Sequence, residues 1–538
     1  MPDRARDDAA ARRGRIEQLL EQGALAEARA AAEASADLHP DDAALNTLCA
    51  RACLAAGDAE AALDYALLAL HHDAANGHAF EAQLGALERL GRADEIPAAC
   101  EALLAANPGH VGALLRLGRA AHAAHDHPRA VELFTQAVER EPDHAGALND
   151  LGLLLARELG EFERGEALLR RALAVDPENG DAKANLAWVL CEQGAYEEGQ
   201  RLFDEQVRCA PEDLELRLMR AVARLKHGDF AAGWDEYAAR FASPVATRRP
   251  YGFPPWDGGA VRDGALLVYG EQGLGDQIMF ASCLPDLLAQ VPGCVVECDP
   301  RLGTLFARSF PAARVVTAAQ SDQRPAWLAA APPIGAQAAI GDLPRRYRRS
   351  AAGFPRQSGY LRADPARVRA WRERLAALGP APRIGLSWRG GTAASRRGLR
   401  SLELGQLAPL LRAVPATWVS LQYTDCRAEL DALRRDHGLA VHHWQAAIDD
   451  YDETAALVAA LDAVVSVCTA IVHLAGALGQ RALVMVPYAA EWRYGAAGET
   501  MPWYPSVRLL RQRAPGAWDA VVAGLGRELL TSPAAPTC

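Results

Sequence analysis

Several features common in membrane, secreted and nucleic-acid-binding proteins are missing from this 538-residue sequence. No apolar run reaches the roughly 18 residues that a membrane-spanning helix needs. The first residues, MPDRARDD, contain no apolar signal core, and we therefore expect a cytoplasmic protein without a transmembrane segment. The net charge of -11 argues against a nucleic-acid partner, which would favour a basic surface.

A disulfide framework and a zinc site are also missing. The eleven cysteines are scattered over predicted helices and strands, which favours reduced thiols. Cys294 and Cys298 lie close together in a predicted strand, but no second cysteine pair or histidine cluster completes a zinc site. We therefore expect buried thiols and no metal.

The first 242 residues contain a repeat of 34 residues. A glycine is followed 17 residues later by a proline at Gly23/Pro40, Gly91/Pro108, Gly160/Pro177 and Gly194/Pro211, while His125/Pro142 and Gly57/Ala74 take equivalent places and Gly228 opens a last unit. Five residues after the turn position, small residues recur at Ala28, Ala62, Ala130, Gly165, Gly199 and Gly233. Glycine suits the turn between two helices, and proline ends the second helix. The pattern resembles about seven tetratricopeptide (TPR) repeats, which form an α-solenoid.

The resemblance to TPR repeats implies a concave surface that binds extended peptide. Eight residues after successive repeat prolines, the first helices carry Arg116, Asp150 and Asn185, whose polar groups suit a peptide backbone. Leu48 and Met219 interrupt this series, so an ordinary solvated helix face remains an alternative.

Beyond the repeats, the pattern changes to short apolar runs that alternate with amphipathic helices. Residues 243–263 are rich in proline, glycine and aromatics and predict a docked linker, with Trp234, Tyr237, Phe253 and Trp256 at the packing surface. The alternation predicts two parallel α/β, Rossmann-like domains at 264–378 and 379–538. Its predicted strands include 265–270, 383–388, 417–423, 440–444, 463–467 and 481–487. Ligands of such sheets bind beyond the carboxyl ends of the strands.

Four loops at those strand ends are candidates for chemistry. The first, GEQGLGD, contains Gly273 and Gly275 and ends at Asp276, which otherwise serves as a helix N-cap. The second follows Trp388 and carries four arginines that suit phosphate. The third opens a helix at Thr469, where free N–H groups favour a diphosphate. The last contains Glu491 and Arg493. Further candidates in these loops are Arg389, Gly390, Thr392, Arg397, Arg400, Cys468, Ala470 and His473.

Together these stretches resemble the heptosyltransferase-like nucleotide-sugar glycosyltransferases, which have the two-domain GT-B fold. The similar segments are GEQGLGDQIMFASCLPDLL, GLSWRGGTAASRRGLRSL, SVCTAIVHLAGALG and EWRYG with MPWYPSVRLLRQ. The chain is more similar still to bacterial proteins that carry TPR repeats ahead of such a domain. The resemblance implies inverting transfer, Asp276 as the base, and a leaving diphosphate stabilised without metal by Arg397, Arg400 and the N–H groups of Thr469 and Ala470.

One position departs from the class, which commonly has aspartate before the threonine of the diphosphate helix. This chain has Cys468 there, which implies a changed donor preference or lost activity. A thiol at a helix start is either reactive, with a lowered pKa, or simply packed.

Two other features have competing interpretations. Asp450 and Asp452 form a D-x-D pattern typical of manganese sites in another transferase fold, but Asp450 and Glu453 have the spacing of a helix capping box. His473 lies one turn beyond Thr469 and faces either the ligand or the core.

The sequence thus predicts a metal-independent glycosyltransferase without a cofactor, which moves sugar from a nucleotide donor to a protein or peptide held by the repeats. One alternative is transfer to a lipid-linked or polysaccharide acceptor. Another is a TPR scaffold whose transferase domain has lost its activity.

Overall fold

The structure, a computed structural model, describes residues 2–243, 246, 248–249, 251–319, 325–356, 359–379, 382–391 and 396–531. The chain divides into two compact units. The first contains Met1–Ala156 and Glu163–Ala182, and the second contains Arg157–Phe162 and Lys183–Cys538. The predicted domain limits at 242, 263 and 378 stay predictions.

The N-terminal part of the chain is a TPR helical solenoid, in which consecutive helices pack as hairpins. Its helices are α1 (Pro2–Glu21), α2 (Leu25–Leu38), α3 (Ala43–Ala56), α4 (Ala59–His72), α5 (Gly77–Arg89), α6 (Ile96–Ala106), α7 (Val111–Ala123), α8 (His127–Arg140), α9 (Ala145–Leu159), α10 (Phe162–Val175), α11 (Gly180–Glu192), α12 (Tyr196–Cys209), α13 (Leu214–Lys226) and α14 (Phe230–Glu236).

The turn residues and small residues of the repeats have the conformations and the packing that the sequence predicts. The glycines at the turn positions have positive φ, and His125, which replaces glycine in one repeat, has φ 60°. The small residues lie where two helices cross closely. A Cβ atom added to Gly199 would lie 2.6 Å from the carbonyl oxygen of Ala187, so the missing side chain permits this contact.

The second unit also contains a four-stranded parallel sheet in the order β3-β2-β1-β4. Its strands are β1 (Ala265–Tyr269), β2 (Val295–Cys298), β3 (Arg314–Thr317) and β4 (Ile334–Ala339). The accompanying helices are α15 (Leu274–Phe280), α16 (Leu284–Gln290), α17 (Gly303–Ser309), α18 (Pro344–Tyr347) and α19 (Pro365–Ala376). The predicted linker docks on the edge of this sheet, since Trp256 N–H donates to Gln337 O at 2.8 Å.

A six-stranded sheet follows in the order β6-β5-β7-β8-β10-β9, parallel except for the antiparallel pair β9 and β10. Its strands are β5 (Arg383–Ser387), β6 (Thr417–Ser420), β7 (Ala463–Val467), β8 (Ala482–Val486), β9 (Thr500–Met501) and β10 (Tyr504–Arg511). Its helices are α20 (Ala408–Ala413), α21 (Arg427–His437), α22 (Gln445–Asp449), α23 (Tyr451–Ala460), α24 (Ala470–Ala477) and α25 (Asp519–Thr531). The strand predicted at 440–444 is wrong, because that segment makes only an isolated bridge between His442 and Val419.

The last repeat hairpin belongs to the core of the second unit. Trp234 of α14 is 2% exposed and its indole N–H donates to Arg348 O at 2.9 Å. Its ring lies edge-on to Trp492 and Trp503, at centroid distances of 5.5 and 6.1 Å. The predicted packing role of Trp234 is therefore confirmed. Tyr237 is also buried, whereas Phe253 and Trp256 are only partly buried.

The 3₁₀ segment that follows α14, Tyr237–Ala242, contributes a buried ion pair. Arg240 donates to Glu271 Oε1 through Nε at 3.1 Å and through Nη2 at 2.9 Å, and to Asp342 Oδ1 through Nη1 at 2.7 Å. Arg240 is 1% exposed and Glu271 is completely buried. Burial raises the pKa of Glu271 to about 7, although the charge of Arg240 lowers it. In the described part of the chain, no helix combines the length and apolarity needed to cross a membrane.

Candidate functional site

The candidate site lies where strand-end loops of the two sheets meet. Helix α15 follows strand β1, and helix α24 follows strand β7. A Cβ atom on Gly275 would lie 3.0 Å from His473 Cδ2 and 3.4 Å from Ala470 Cα, so α15 touches the first turn of α24. Gly275 thus permits the close approach of the two helices.

Asp276 joins the two loops through an ion pair. Its Oδ1 accepts a hydrogen bond from Arg493 Nε at 2.7 Å, and Arg493 Nη2 contacts the same oxygen. Asp276 is 17% exposed and Arg493 is 18% exposed, so both keep a path to solvent. The alternative that Asp276 is the helix N-cap is wrong, because Gly273 takes that position without a side-chain cap.

Glu491 lies among three guanidinium groups. Its carboxylate is 3.7 Å from Arg396, 3.8 Å from Arg400 and 3.6 Å from Arg493. Burial opposes ionisation of Glu491, but these cations and Lys226 outweigh it and hold its pKa below the ordinary value. Three arginines thus surround the carboxylate of Glu491, and one of them, Arg493, also pairs with Asp276. The buried Nη1 of Arg396 has no hydrogen-bond partner in the described part of the protein.

The start of α24 completes the cleft. Thr469 is the N-cap, and its Oγ1 accepts a hydrogen bond from Ile471 N at 3.3 Å. The loop after β5 passes directly over it, since a Cβ atom on Gly390 would lie 2.7 Å from Thr469 Cγ2. Ser401 Oγ accepts from Gly390 N at 3.1 Å and holds this loop in place. A narrow cleft beside the start of α24 is lined by Arg396, Leu399, Arg400, Cys468, Pro487, Ala489 and Glu491.

Other predicted site residues lie elsewhere. Trp388 Nε1 donates to Glu429 Oε1 at 3.0 Å, and Arg389 Nη2 contacts Glu429 Oε2 at 2.5 Å. Both side chains therefore bind α21 rather than the cleft. Arg397 is exposed on its loop, and Thr392 lies outside the described residues. The structure does not bring Trp388, Arg389 or Arg397 into contact with Asp276.

Cys468 is a packed thiol. It is 2% exposed, and its Sγ faces Met485 O at 3.8 Å. Burial raises its pKa to about 12, although the guanidinium of Arg400 lowers it. The hypothesis of a reactive thiol with a lowered pKa is therefore wrong.

His473 faces both the core and the cleft. It is 5% exposed, its Nδ1 lies 3.1 Å from the hydroxyl of Tyr504, and its opposite edge lies against Gly275. Burial and the charge of Arg493 lower its pKa to about 3, so the imidazole is neutral at physiological pH.

The acidic D-x-D segment is structural. Asp450 is the N-cap of α23 and accepts from Asp452 N at 2.9 Å, which confirms its capping role. The reciprocal half of the predicted capping box is wrong, because the Glu453 carboxylate accepts from Trp371 Nε1 at 2.8 Å. Asp452 receives two hydrogen bonds from Arg308, at 2.8 and 2.7 Å. Among the residues that the structure describes, no group of three or more His, Cys, Asp or Glu side chains is arranged to hold a metal ion.

The predicted peptide-binding residues take part in surface interactions. Arg116 contacts Glu88 at 3.0 Å, and Asp150 accepts from Arg119 at 2.7 Å. Asn185 is partly exposed on α11. Their role toward a peptide stays a prediction.

Two residues at or near the site were not predicted from the sequence: Arg396, which lines the cleft, and Tyr504, which is buried against His473. Arg396 adjoins Arg397 and has a left-handed backbone conformation, with φ 55°. Its side chain lies near Glu491, whereas Arg397 is exposed. Tyr504 lies on β10, which the sequence analysis did not predict. The one sequence signal for Tyr504 is its place in the segment MPWYPSVRLLRQ.

Comparison with known protein families confirms that the chain contains tetratricopeptide repeats. Tetratricopeptide-repeat families match residues 115–158 and 156–225. The repeats define a TPR protein with the features of a protein-binding scaffold, followed by a region of mixed parallel sheets. Over 517 residues the chain is 31% identical to Protein FlbA of Caulobacter vibrioides (strain ATCC 19089 / CIP 103742 / CB 15), a match that covers 86% of each chain. The chain belongs to the family of Protein FlbA.

Solved structures are more distant. The APC/C hetero-tetramer Cut9-Hcn1 has a chain 16% identical, with a TM-score of 0.35 over 43% of this chain and 46% of that one. A tetratricopeptide repeat protein from Parabacteroides merdae ATCC 43184 is 19% identical, with a TM-score of 0.31 over 36% of this chain and 76% of that one. This protein thus spans less than half of the matched chain in the Cut9-Hcn1 structure.

Proposed function

We propose that the protein is an inverting, metal-independent glycosyltransferase that moves sugar from a nucleotide donor to a protein or peptide held by its TPR repeats. The observation that carries this proposal is the meeting of Asp276, from the first sheet, with the arginine cluster and the start of α24, from the second. A carboxylate and an anion-binding cleft at one place are what such a transfer requires.

The proposed chemistry uses both sides of the site. Asp276 takes the proton of the acceptor hydroxyl as its oxygen attacks the anomeric carbon, and the bond to the diphosphate breaks. Arg396, Arg400 and the N–H groups at the start of α24 stabilise the charge of the departing diphosphate. In the present arrangement Arg493 is paired with Asp276. A bound diphosphate competes for that guanidinium and frees the carboxylate to act as a base.

The absence of a metal requirement is part of this proposal. The guanidinium groups supply the positive charge that a divalent cation supplies in other transferases. The D-x-D carboxylates are held by Arg367 and Arg308, with Asp450 Oδ2 lying 3.1 Å from Arg367.

Nucleotide binding is the first test. We expect one of UDP, GDP, CDP or ADP to raise the melting temperature, since ligand at a hundred times its Kd adds about 2.7 kcal/mol. Arg400→Gln should weaken that binding by about 1.5 to 3 kcal/mol, the size of a charge-assisted hydrogen bond. Arg412→Gln, which changes a surface arginine bonded to His437, is the control. Arg397→Gln should have a smaller effect than Arg400→Gln because its side chain is exposed.

Asp276→Asn tests the base. General-base catalysis contributes about 10² to 10⁴ in rate, so transfer should fall at least a hundredfold. Nucleotide binding should be retained or become tighter, because the diphosphate then competes for Arg493 with a neutral amide rather than with a carboxylate. The control is Asp286→Asn, which alters another carboxylate paired with an arginine, Arg348, on the next helix. Wild-type turnover in Asp276→Asn would contradict the assignment.

A second candidate function is a scaffold that does not catalyse transfer. The ion pair between Asp276 and Arg493 favours it, because a carboxylate engaged by arginine also serves as a structural link between the two loops. Cys468 also favours the scaffold, because it replaces the aspartate that is usual at this position in the class. The scaffold would be preferred if no nucleoside diphosphate shifted the melting temperature.

A further inference from the structure

The carboxylate of Glu491 is shared by three arginines. Its Oε1 lies 3.7 Å from Arg396 Nη2 and 3.8 Å from Arg400 Nη1, and its Oε2 lies 3.6 Å from Arg493 Nη1. One carboxylate oxygen thus faces two guanidinium groups, and the other faces the third. The oxygens of a single phosphate group can face the same three arginines in this way.

Glu491 leaves the hydrogen-bonding capacity of these arginines partly unused. All three distances exceed the roughly 2.7 to 2.9 Å of a charge-assisted hydrogen bond. The buried Nη1 of Arg396 has no hydrogen-bond partner among the described residues. Arg493 divides its donors, since its Nε is bonded to Asp276 while its Nη1 faces Glu491. A tetrahedral phosphate, which has more acceptor oxygens than a carboxylate, can use the donors that remain.

Glu491 is an anion that is able to leave this position. Burial alone would favour its neutral form, but the charges of Arg396, Arg493 and Arg400 hold its pKa below the ordinary value. Its side chain is 27% exposed, so a displaced carboxylate keeps a path to water. A bound phosphate and an ionised Glu491 would repel each other if both stayed among the arginines. The two anions are therefore competitors for the same guanidinium groups.

We infer that Glu491 is a built-in competitor of the phosphate ligand: its carboxylate holds the arginines in the free protein, weakens diphosphate binding and speeds release of the diphosphate product. This inference deepens the proposed function and rests on its anion-binding cleft. Three arginines without a counter-anion would retain the diphosphate after transfer, and product release limits turnover in many enzymes. Glu491 thus belongs to the phosphate site, as the sequence predicts, but it acts there by opposing the ligand.

Pyrophosphate is the probe, because it presents two phosphate groups without a base or a sugar. Its Kd is measured by isothermal titration calorimetry on the full chain, without added metal. Glu491→Gln keeps the size of the side chain but removes its charge. The control Glu499→Gln removes the same charge from a surface ion pair with Arg508, at 2.9 Å, and reports the effect of net charge alone. Melting curves verify that each variant is folded, and Glu491→Ala takes the place of Glu491→Gln if the latter does not fold.

We expect Glu491→Gln to bind pyrophosphate about 3- to 30-fold more tightly than the wild type, the effect of one charge in a partly solvated site. Glu499→Gln should leave the Kd unchanged. Unchanged or weaker binding in Glu491→Gln would show that Glu491 only supports the arginines, and would overturn the inference. Equal tightening in Glu499→Gln, or no pyrophosphate binding to any of these proteins, would also overturn it.

The outcomes separate this inference from the proposed function. Suppose that pyrophosphate binds Glu491→Gln more tightly, but that none of UDP, GDP, CDP or ADP binds the protein. That result would refute transfer from a nucleotide donor and leave the competition intact. A nucleoside diphosphate that binds the wild type, with no gain for it or for pyrophosphate in Glu491→Gln, would refute the inference alone.

Discussion

Replacing Arg240 with leucine should destabilise the second unit in a pH-dependent way. Arg240 is the cation that compensates Glu271, whose Oε2 has no partner among the described residues. Arg240→Leu leaves this carboxylate buried and unpaired. Removing one partner of a buried pair costs about 3 to 5 kcal/mol. The loss of the hydrogen bond to Tyr237 O, at 3.2 Å, adds to this cost.

The pH dependence follows from Glu271. Its folded pKa of about 7 lies above its ordinary value of 4.5, so its contribution to stability is fully present below pH 4.5 and is lost as the pH rises through 7. At about 1.4 kcal/mol per pH unit, the difference corresponds to about 3 kcal/mol. Arg240→Leu raises this pKa further and extends the loss beyond pH 7. At pH 5 Glu271 is protonated, and we expect a loss of only about 1 to 2 kcal/mol from hydrogen bonds.

Urea unfolding, followed by tryptophan fluorescence, measures how much the free energy of unfolding falls in Arg240→Leu at pH 5 and at pH 8. Trp234 and Trp492 contact the ring of Tyr237, over which Arg240 lies, and they report the unfolding of this core. Arg345→Leu is the control, because Arg345 and its ion-pair partner Asp235 are both at the surface. Arg240→Leu combined with Glu271→Gln should recover most of the loss at pH 8. Equal losses at the two pH values would refute the reasoning.

Three further predictions concern thiols, helix packing and the repeats. With maleimide at pH 7, peptide mass spectrometry should detect labelling of exposed Cys209 long before buried Cys468, and early labelling of Cys468 would contradict its packing. Gly199→Ala should lower the free energy of unfolding by about 1 to 3 kcal/mol through overpacking, whereas Gly14→Ala, with nothing within 4 Å of the added Cβ, should not destabilise the protein. A chain that starts at Lys183 should be soluble, but one that starts at Val261 should aggregate, because it lacks Trp234; sedimentation of the two proteins would decide.

The repeats could be predicted because the conformation and packing of each marker residue are determined by its near neighbours in the sequence. A positive φ at Gly194 and a close helix crossing at Gly199 are dictated within one hairpin, so a period of 34 residues reports them. The buried strands β7 and β8 are similarly local, as continuous apolar runs bounded by helices. The segment at 440–444 has the composition of a strand, but it pairs with Val419 only through His442.

The site could be predicted only in outline. The strand-end rule indicated the loops that carry Asp276, Thr469 and Glu491, and these loops do meet. The side-chain pairings within the site, however, are determined by tertiary contacts between residues that are far apart in the sequence. Nothing near Asp276 in the sequence indicates that Arg493 pairs with it, and nothing in the loop sequence indicates that Arg396 rather than Arg397 lies near Glu491.

The position of Trp234 has a consequence for biosynthesis. Trp492 and Trp503, which cover Trp234, follow it by more than 250 residues and therefore leave the ribosome well after its hairpin. At about 5 to 20 residues per second, the nascent hairpin waits roughly tens of seconds with a large aromatic surface uncovered. During that interval it is an obvious target for chaperones on the ribosome. A stalled or prematurely ended translation product would keep that surface permanently exposed.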